Sequence, residues 1–144
     1  MLMWDRVYVY IDGASKGNPG YSGVGIVIKD PSGNILKRYN KVIGKATNNI
    51  AEYTALKYAL EVVCKYSKDV VILSDSKLLV NQMRGVYKVR NDGIRRMVDE
   101  ITSIKDAKGL RVEYKLVERG ENSEADRLAN DALRGRIVAA VDDD

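Results

Sequence analysis

The chain has 144 residues, 45% apolar and 31% charged, with one cysteine and no histidine. That length makes one domain able to bury a core, and the mix is too apolar for a disordered chain. Without histidine there is no Ser-His-Asp or Cys-His triad and no histidine metal ligand, and the lone Cys64 excludes an intrachain disulfide or a cysteine metal cluster.

Net charge is +4, and three of the 20 acids close the chain as Asp142, Asp143 and Asp144, so the body carries 24 basic against 17 acidic residues. A basic body favours polyanionic partners. No apolar run nears the ~18 residues of a membrane span. The first six residues lack the basic start and apolar stretch of a secretion signal. The expectation is a monomer in a reducing, cytoplasmic setting, with no membrane partner.

In chain order, residues 6–12 are β-branched and aromatic and predict a strand. Residues 13–23 hold several glycines with Asn18 and Pro19 and read as a loop. Residues 24–29 and 35–42 predict two more strands around a turn at 30–34, and the short connections suggest an antiparallel meander. Leu56, Ala59, Leu60 and Val63 then follow a helical period, so residues 50–66 predict an amphipathic helix. The continuous apolar run at 70–73 suits a strand buried on both faces. Helices are expected over 76–84, 91–104 and 123–134, with a strand at 111–117. The order β-β-β-α-β-α-α-β-α gives a mixed α/β sheet. Residues 136–144 take no assignment.

Four acids attract attention, each with a structural alternative. Asp12 precedes Gly13 and suits a turn. Glu52 lies three residues after Asn49 and suits the first turn of a helix capped there. Asp75 suits an N-cap before Ser76. Asp126 lies three residues after Ser123, in capping-box spacing. Position argues for more. Glu52 leads the apolar stripe of its helix, and Asp126 precedes Ala129 and Leu133 in the same way. An acid on such a stripe is costly unless something pairs with it. Asp12 and Asp75 both end strands that read as central, the edge where open α/β sheets build sites. As parallel neighbours they would stand about 4.8 Å apart and repel unless a cation lay between them. With only hard oxygen ligands, that cation is Mg²⁺ or Mn²⁺. Acidic sites holding two such ions suit phosphoryl transfer.

Four blocks carry a family resemblance: Asp12-Gly13-Ala14-Ser15-Lys16-Gly17-Asn18-Pro19-Gly20, Thr47-Asn48-Asn49-Ile50-Ala51-Glu52, Ser74-Asp75-Ser76 and Glu121-Asn122-Ser123-Glu124-Ala125-Asp126-Arg127-Leu128-Ala129. Together and in this order they resemble type 1 ribonuclease H, over most of the chain. The resemblance implies a ribonuclease H-like α/β fold, one domain over residues 1–144, with a five-stranded mixed sheet in order 3-2-1-4-5 and helices on both faces. It implies endonucleolytic cleavage of the RNA strand of an RNA–DNA hybrid, leaving 5′-phosphate and 3′-hydroxyl ends. It assigns Asp12, Glu52, Asp75 and Asp126 as ligands of two Mg²⁺ ions, with Mn²⁺ as a substitute and Asp12 bridging both. It also puts Glu52 near the 2′-hydroxyl that distinguishes RNA from DNA.

Further positions follow from the same resemblance. Thr47 and Asn91, with Lys45 nearby, match a pocket for a phosphate of the DNA strand, although helix capping explains Thr47 and Asn91 equally well. Asn18, Asn48 and Asn49 match minor-groove contacts, against plain loop and cap chemistry. Lys77 and Leu78 stand where relatives approach the hybrid. Two departures matter. Where many members insert a basic, tryptophan-containing handle, this chain has only residues 85–90. The histidine that such members carry in the loop before the last acid is also missing. Arg119, seven residues before Asp126, stands where some handle-less members carry arginine, and it is the candidate there for a catalytic role. Actin-like ATPases share the sheet order but need two lobes, and the chain lacks a Walker loop. The remaining alternative is a non-catalytic module that binds hybrid or duplex with the same fold.

Overall fold

A computed structural model describes residues 4–139. Five strands form one sheet in the order β3-β2-β1-β4-β5. They are β1 (Val7–Gly17), β2 (Gly20–Lys29), β3 (Ile35–Ala46), β4 (Asp69–Ser74) and β5 (Arg111–Leu116). β1, β2 and β3 pair antiparallel, while β4 runs parallel to both β1 and β5. The helices are α1 (Asn48–Val62), α2 (Lys77–Met83), α3 (Asp92–Ala107) and α4 (Ser123–Leu133). Both the expected element order and the sheet order are found.

Alternation along β1 builds the two layers. Val7, Val9 and Ile11 point into the main core with Leu56 and Leu60 of α1 and Ile94 and Ile101 of α3. Tyr8 and Tyr10 point the other way, where Tyr10 meets Val27 of β2 and Ala125 and Leu128 of α4. The run in β4 is buried on both faces as expected, with Ile72 in the main core and Val71 and Leu73 on the opposite side.

The glycine-rich stretch 13–23 is not a loop. β1 continues to Gly17 and β2 begins at Gly20, so only Asn18 and Pro19 turn the chain. Glycine serves here for close approach. A Cβ on Gly13 would lie 2.6 Å from the backbone nitrogen of Glu52 in α1, and one on Gly25 would strike the Ala125 carbonyl oxygen of α4. β3 likewise outruns its expected end at 42, continuing past a bulge to Ala46.

Helix boundaries differ from expectation where the cap differs. α1 begins at Asn48 because the Thr47 hydroxyl accepts the Ile50 N–H at 3.1 Å, and it ends in a 3₁₀ turn, Val63–Lys65. Asn49 is therefore inside the helix, and Glu52 lies beyond its first turn. α2 is capped by Ser76, whose hydroxyl accepts the Leu79 N–H, so Asp75 is not the cap. Asn122 occupies the N-cap of α4 without a side-chain cap bond, so Ser123 and Asp126 form no capping box. The box forms one turn earlier, between Glu118 and Glu121. Of the unassigned tail, residues 136–139 lie against β3. Buried Asn40 donates to the Leu128 and Arg136 carbonyls and accepts the Val138 N–H. The acids at 142–144 fall outside the described residues.

Candidate active site

With the three capping explanations displaced and Asp12 in a continuous strand rather than a turn, the carboxylates need another account. Asp12 lies within β1 and is only 7% exposed, and its Oδ1 accepts the Gly13 N–H at 3.0 Å. Asp75 follows the last residue of β4, Glu52 rises from α1, and Asp126 comes from α4. One open cavity is lined by all four, together with Asn48, Arg119 and Asn130. Among the described residues no three carboxylates close into a compact metal cage.

The electrostatics of Asp12 show what the cavity does to a charge. Burial, the Asp75 charge, a hydrogen bond with Asp126 and the charges of Asp126 and Glu52 push its carboxyl up to about 8. Burial also raises Glu52, a hydrogen bond from Ser76 opposes this, and Asp75 adds to the rise. Packed acids that hold a proton because their charges repel are a donor set suited to a hard divalent cation.

Asp126 departs from expectation: it is exposed, at the margin of the α4 stripe, while Ala125, Leu128 and Ala129 take the buried positions. Two asparagines absent from the sequence-based candidates bear on it. The Asn130 amide donates to the Asp126 carbonyl at 2.9 Å and to its carboxylate at 3.3 Å. Buried Asn122 donates to the Ile11 carbonyl at 2.8 Å, tying the start of α4 to the residue before Asp12.

Comparison with known proteins fits this geometry. A family model described as "Reverse transcriptase-like" matches residues 10–132. The crystal structure of RNase H1 from the halophilic archaeon Halobacterium salinarum is similar, with a TM-score of 0.85 at 37% identity, over 90% of this chain and 98% of that one. The chain belongs to the type 1 ribonuclease H family. LC11-RNase H1, solved in complex with an RNA/DNA hybrid, is another ribonuclease H neighbour, with a TM-score of 0.86 at 36% identity, over 90% of this chain and 97% of that one. The bifunctional protein Rv2228c of Mycobacterium tuberculosis is 37% identical over 141 residues, 96% of this chain and 38% of that protein. The curated ribonuclease HI of Halobacterium salinarum is 38% identical over 133 residues, and this chain spans 64% of its length. The ribonuclease H chain thus spans less than two thirds of these curated relatives.

Of the other candidate positions, Asn48 and Arg119 line the cavity with the acids. Lys77 and Arg119 share a neighbouring groove with Glu52 and Asp75, so Arg119 belongs to both. The Asn18 side chain accepts the Asn48 N–H at 3.0 Å and ties the β1–β2 turn to α1. Asn49 lies in the first turn of α1. Thr47 and Asn91 cap α1 and α3, each as an acceptor. Those bonds leave the Thr47 hydroxyl proton and the Asn91 amide hydrogens unused, so capping and phosphate contact are compatible. Lys45 lies over the exposed ring of Tyr21. Among the described residues no helix is long and apolar enough to cross a membrane.

Proposed function

We propose that this ribonuclease H chain is an endonuclease that hydrolyses the RNA strand of RNA–DNA hybrids with two divalent ions, leaving 5′-phosphate and 3′-hydroxyl ends. The observation that carries the reading is Asp12, buried at the sheet centre and raised by three further carboxylates from three other elements around one open cavity. Similarity to a ribonuclease H1 solved with an RNA/DNA hybrid supports the substrate class.

Asp12, Glu52, Asp75 and Asp126 would hold the ions, Mg²⁺ or Mn²⁺, since all the donors are hard oxygens. Bound there, two ions supply a water activated at neutral pH and a counter-charge for the leaving 3′ oxygen. Asp12 would have to be ionised to serve as a ligand. Arg119 bears on a phosphate oxygen and offsets transition-state charge. Lys77 in the adjoining groove adds positive charge beside the strand. Asn18, Asn48 and Asn49 present amides to the minor groove, and Lys45, Thr47 and Asn91 supply donors to a phosphate of the DNA strand.

The end chemistry is tested on a hybrid whose RNA is cut once. The downstream fragment should accept no further phosphate from a kinase until phosphatase has acted, and the upstream fragment should be extended by a polymerase directly. A cyclic phosphate or 3′-phosphate end would contradict metal-assisted attack by water.

A further inference from the structure

Tyr21 is the most exposed aromatic side chain among the described residues, at 59%, and neither the proposed catalytic acids nor the core uses it. It stands in a three-strand row. β1 sets Lys16 opposite Tyr21, and β3 sets Lys45 opposite Tyr21 from the other side. The row depends on the β2–β3 bulge. Gly23 pairs with Val42, yet Ser22 pairs with Gly44, so Ile43 is the extra residue. In an unbroken ladder Gly44 would face Tyr21. The bulge, with Gly44 at φ +82°, advances the strand by one and presents Lys45 instead. The Lys45 ammonium then lies 5.6 Å from the centroid of the Tyr21 ring.

The row shares a face with Asp12. Lys16, Ala14 and Asp12 alternate onto one side of β1. Tyr21 follows the same parity as Gly23 and Gly25, two β2 positions that meet α4. At about 3.3 Å per residue, Lys16 is about 13 Å along β1 from Asp12. That is the span of about two phosphates along a nucleic-acid strand. We infer that Lys16, Tyr21 and Lys45 form a backbone-gripping row for the hybrid, in which the Tyr21 ring braces the Lys45 ammonium and offers its own face to the strand. The inference rests on the proposed hybrid substrate and adds residues of this chain to it. It also accounts for grip in a chain that lacks the basic handle, since two cations and one ring face suit a sugar–phosphate backbone without reading sequence.

The test is equilibrium binding of a fluorescent RNA–DNA hybrid across a salt series, in an Asp12→Asn background that leaves the RNA uncut. Tyr21→Ala should weaken binding by about two- to fivefold. Tyr21→Phe, which keeps the ring, should restore it. Lys16→Ala and Lys45→Ala should each lower the salt slope by about one. Tyr21→Ala combined with Lys45→Ala should cost less than the product of the single effects, because the ring acts partly through the ammonium. In the wild-type background Tyr21→Ala should raise KM and leave kcat at saturating hybrid unchanged, whereas a merely structural defect would lower the melting temperature and kcat together. Unchanged binding in Tyr21→Ala, or equal losses in Tyr21→Phe and Tyr21→Ala, would overturn the row while the parent still binds hybrid. Failure of the parent to bind hybrid would overturn the substrate reading itself.

Discussion

Asp12 and Asp75 lie two residues beyond the last paired positions, Tyr10 and Leu73, of two parallel strands, and both line one cavity. After burial, the Asp75 charge is the next cause of the raised Asp12 carboxyl. The fold itself thus disfavours two negative charges at this pair.

Asp12→Asn should lower hybrid cleavage by at least about a hundredfold, since it removes the proposed central metal ligand. In chelator at neutral pH the variant should melt higher than wild type, because a neutral amide stands beside Asp75, Asp126 and Glu52 without the cost of holding a proton there. Activity within tenfold of wild type in Mg²⁺ would remove Asp12 from the catalytic set.

The raised carboxyl also fixes a pH dependence. Between its ordinary value of 3.8 and about 8, Asp12 keeps its proton in the folded state and has lost it in the unfolded chain. The folded state then binds more protons, so this group's contribution to stability is full below about 4 and is lost as pH rises through about 8. Melting curves in chelator should show that loss in wild type and not in Asp12→Asn. Added Mg²⁺ should restore more stability at pH 8 than at pH 5, because binding displaces the proton. A wild-type profile parallel to that of the variant would contradict the assignment.

Gly13→Ala tests how the backbone carries the site. The new Cβ would meet the Ala51 carbonyl carbon at 2.5 Å and the Glu52 nitrogen at 2.6 Å, both backbone atoms of α1. α1 must move and carry Glu52 with it. We expect a loss of about 1–3 kcal/mol in stability by denaturant titration, and a fall in kcat at temperatures where the variant is fully folded. Normal stability and rate would mean that α1 is free to shift without consequence.

Arg119 opens the 3₁₀ turn Arg119–Asn122, after β5 and before α4, and faces both the acid cavity and the groove beside it. Arg119→Ala should lower kcat by about ten- to a thousandfold with less effect on KM. Arg119→Lys should recover part of the rate, since ammonium lacks the planar fork. The pH–rate profile should keep its shape in both. Unchanged kcat in Arg119→Ala at saturating hybrid would return this residue to a solvated surface role.

Periodicity and apolar runs made the elements legible, because β1, β4 and α1 each bury faces that their sequences mark. The stretch 13–23 was not legible, since glycines that signal a turn serve here to admit α1 and α4 against continuous strands. Thr47 and Asn49 are both good caps, and only the placement of the helix decides between them. The acids were readable as a set because four blocks had to agree. The spacing of Asp126 and Asn130 places the two side chains one helical turn apart, yet it does not say that the amide turns toward the carboxylate. The Asn122 contact to Ile11 spans 111 residues and leaves no local mark. The partnership of Tyr21 with Lys45 required the bulge.

The most direct test of the central claim is cleavage of end-labelled RNA–DNA, RNA–RNA and DNA–DNA duplexes of one sequence, side by side, with Mg²⁺ and with chelator. The account predicts internal cuts in the RNA strand of the hybrid alone, in Mg²⁺ alone. Hybrid that is bound but left whole in Mg²⁺ or Mn²⁺, or DNA–DNA cut as readily as the hybrid, would contradict it.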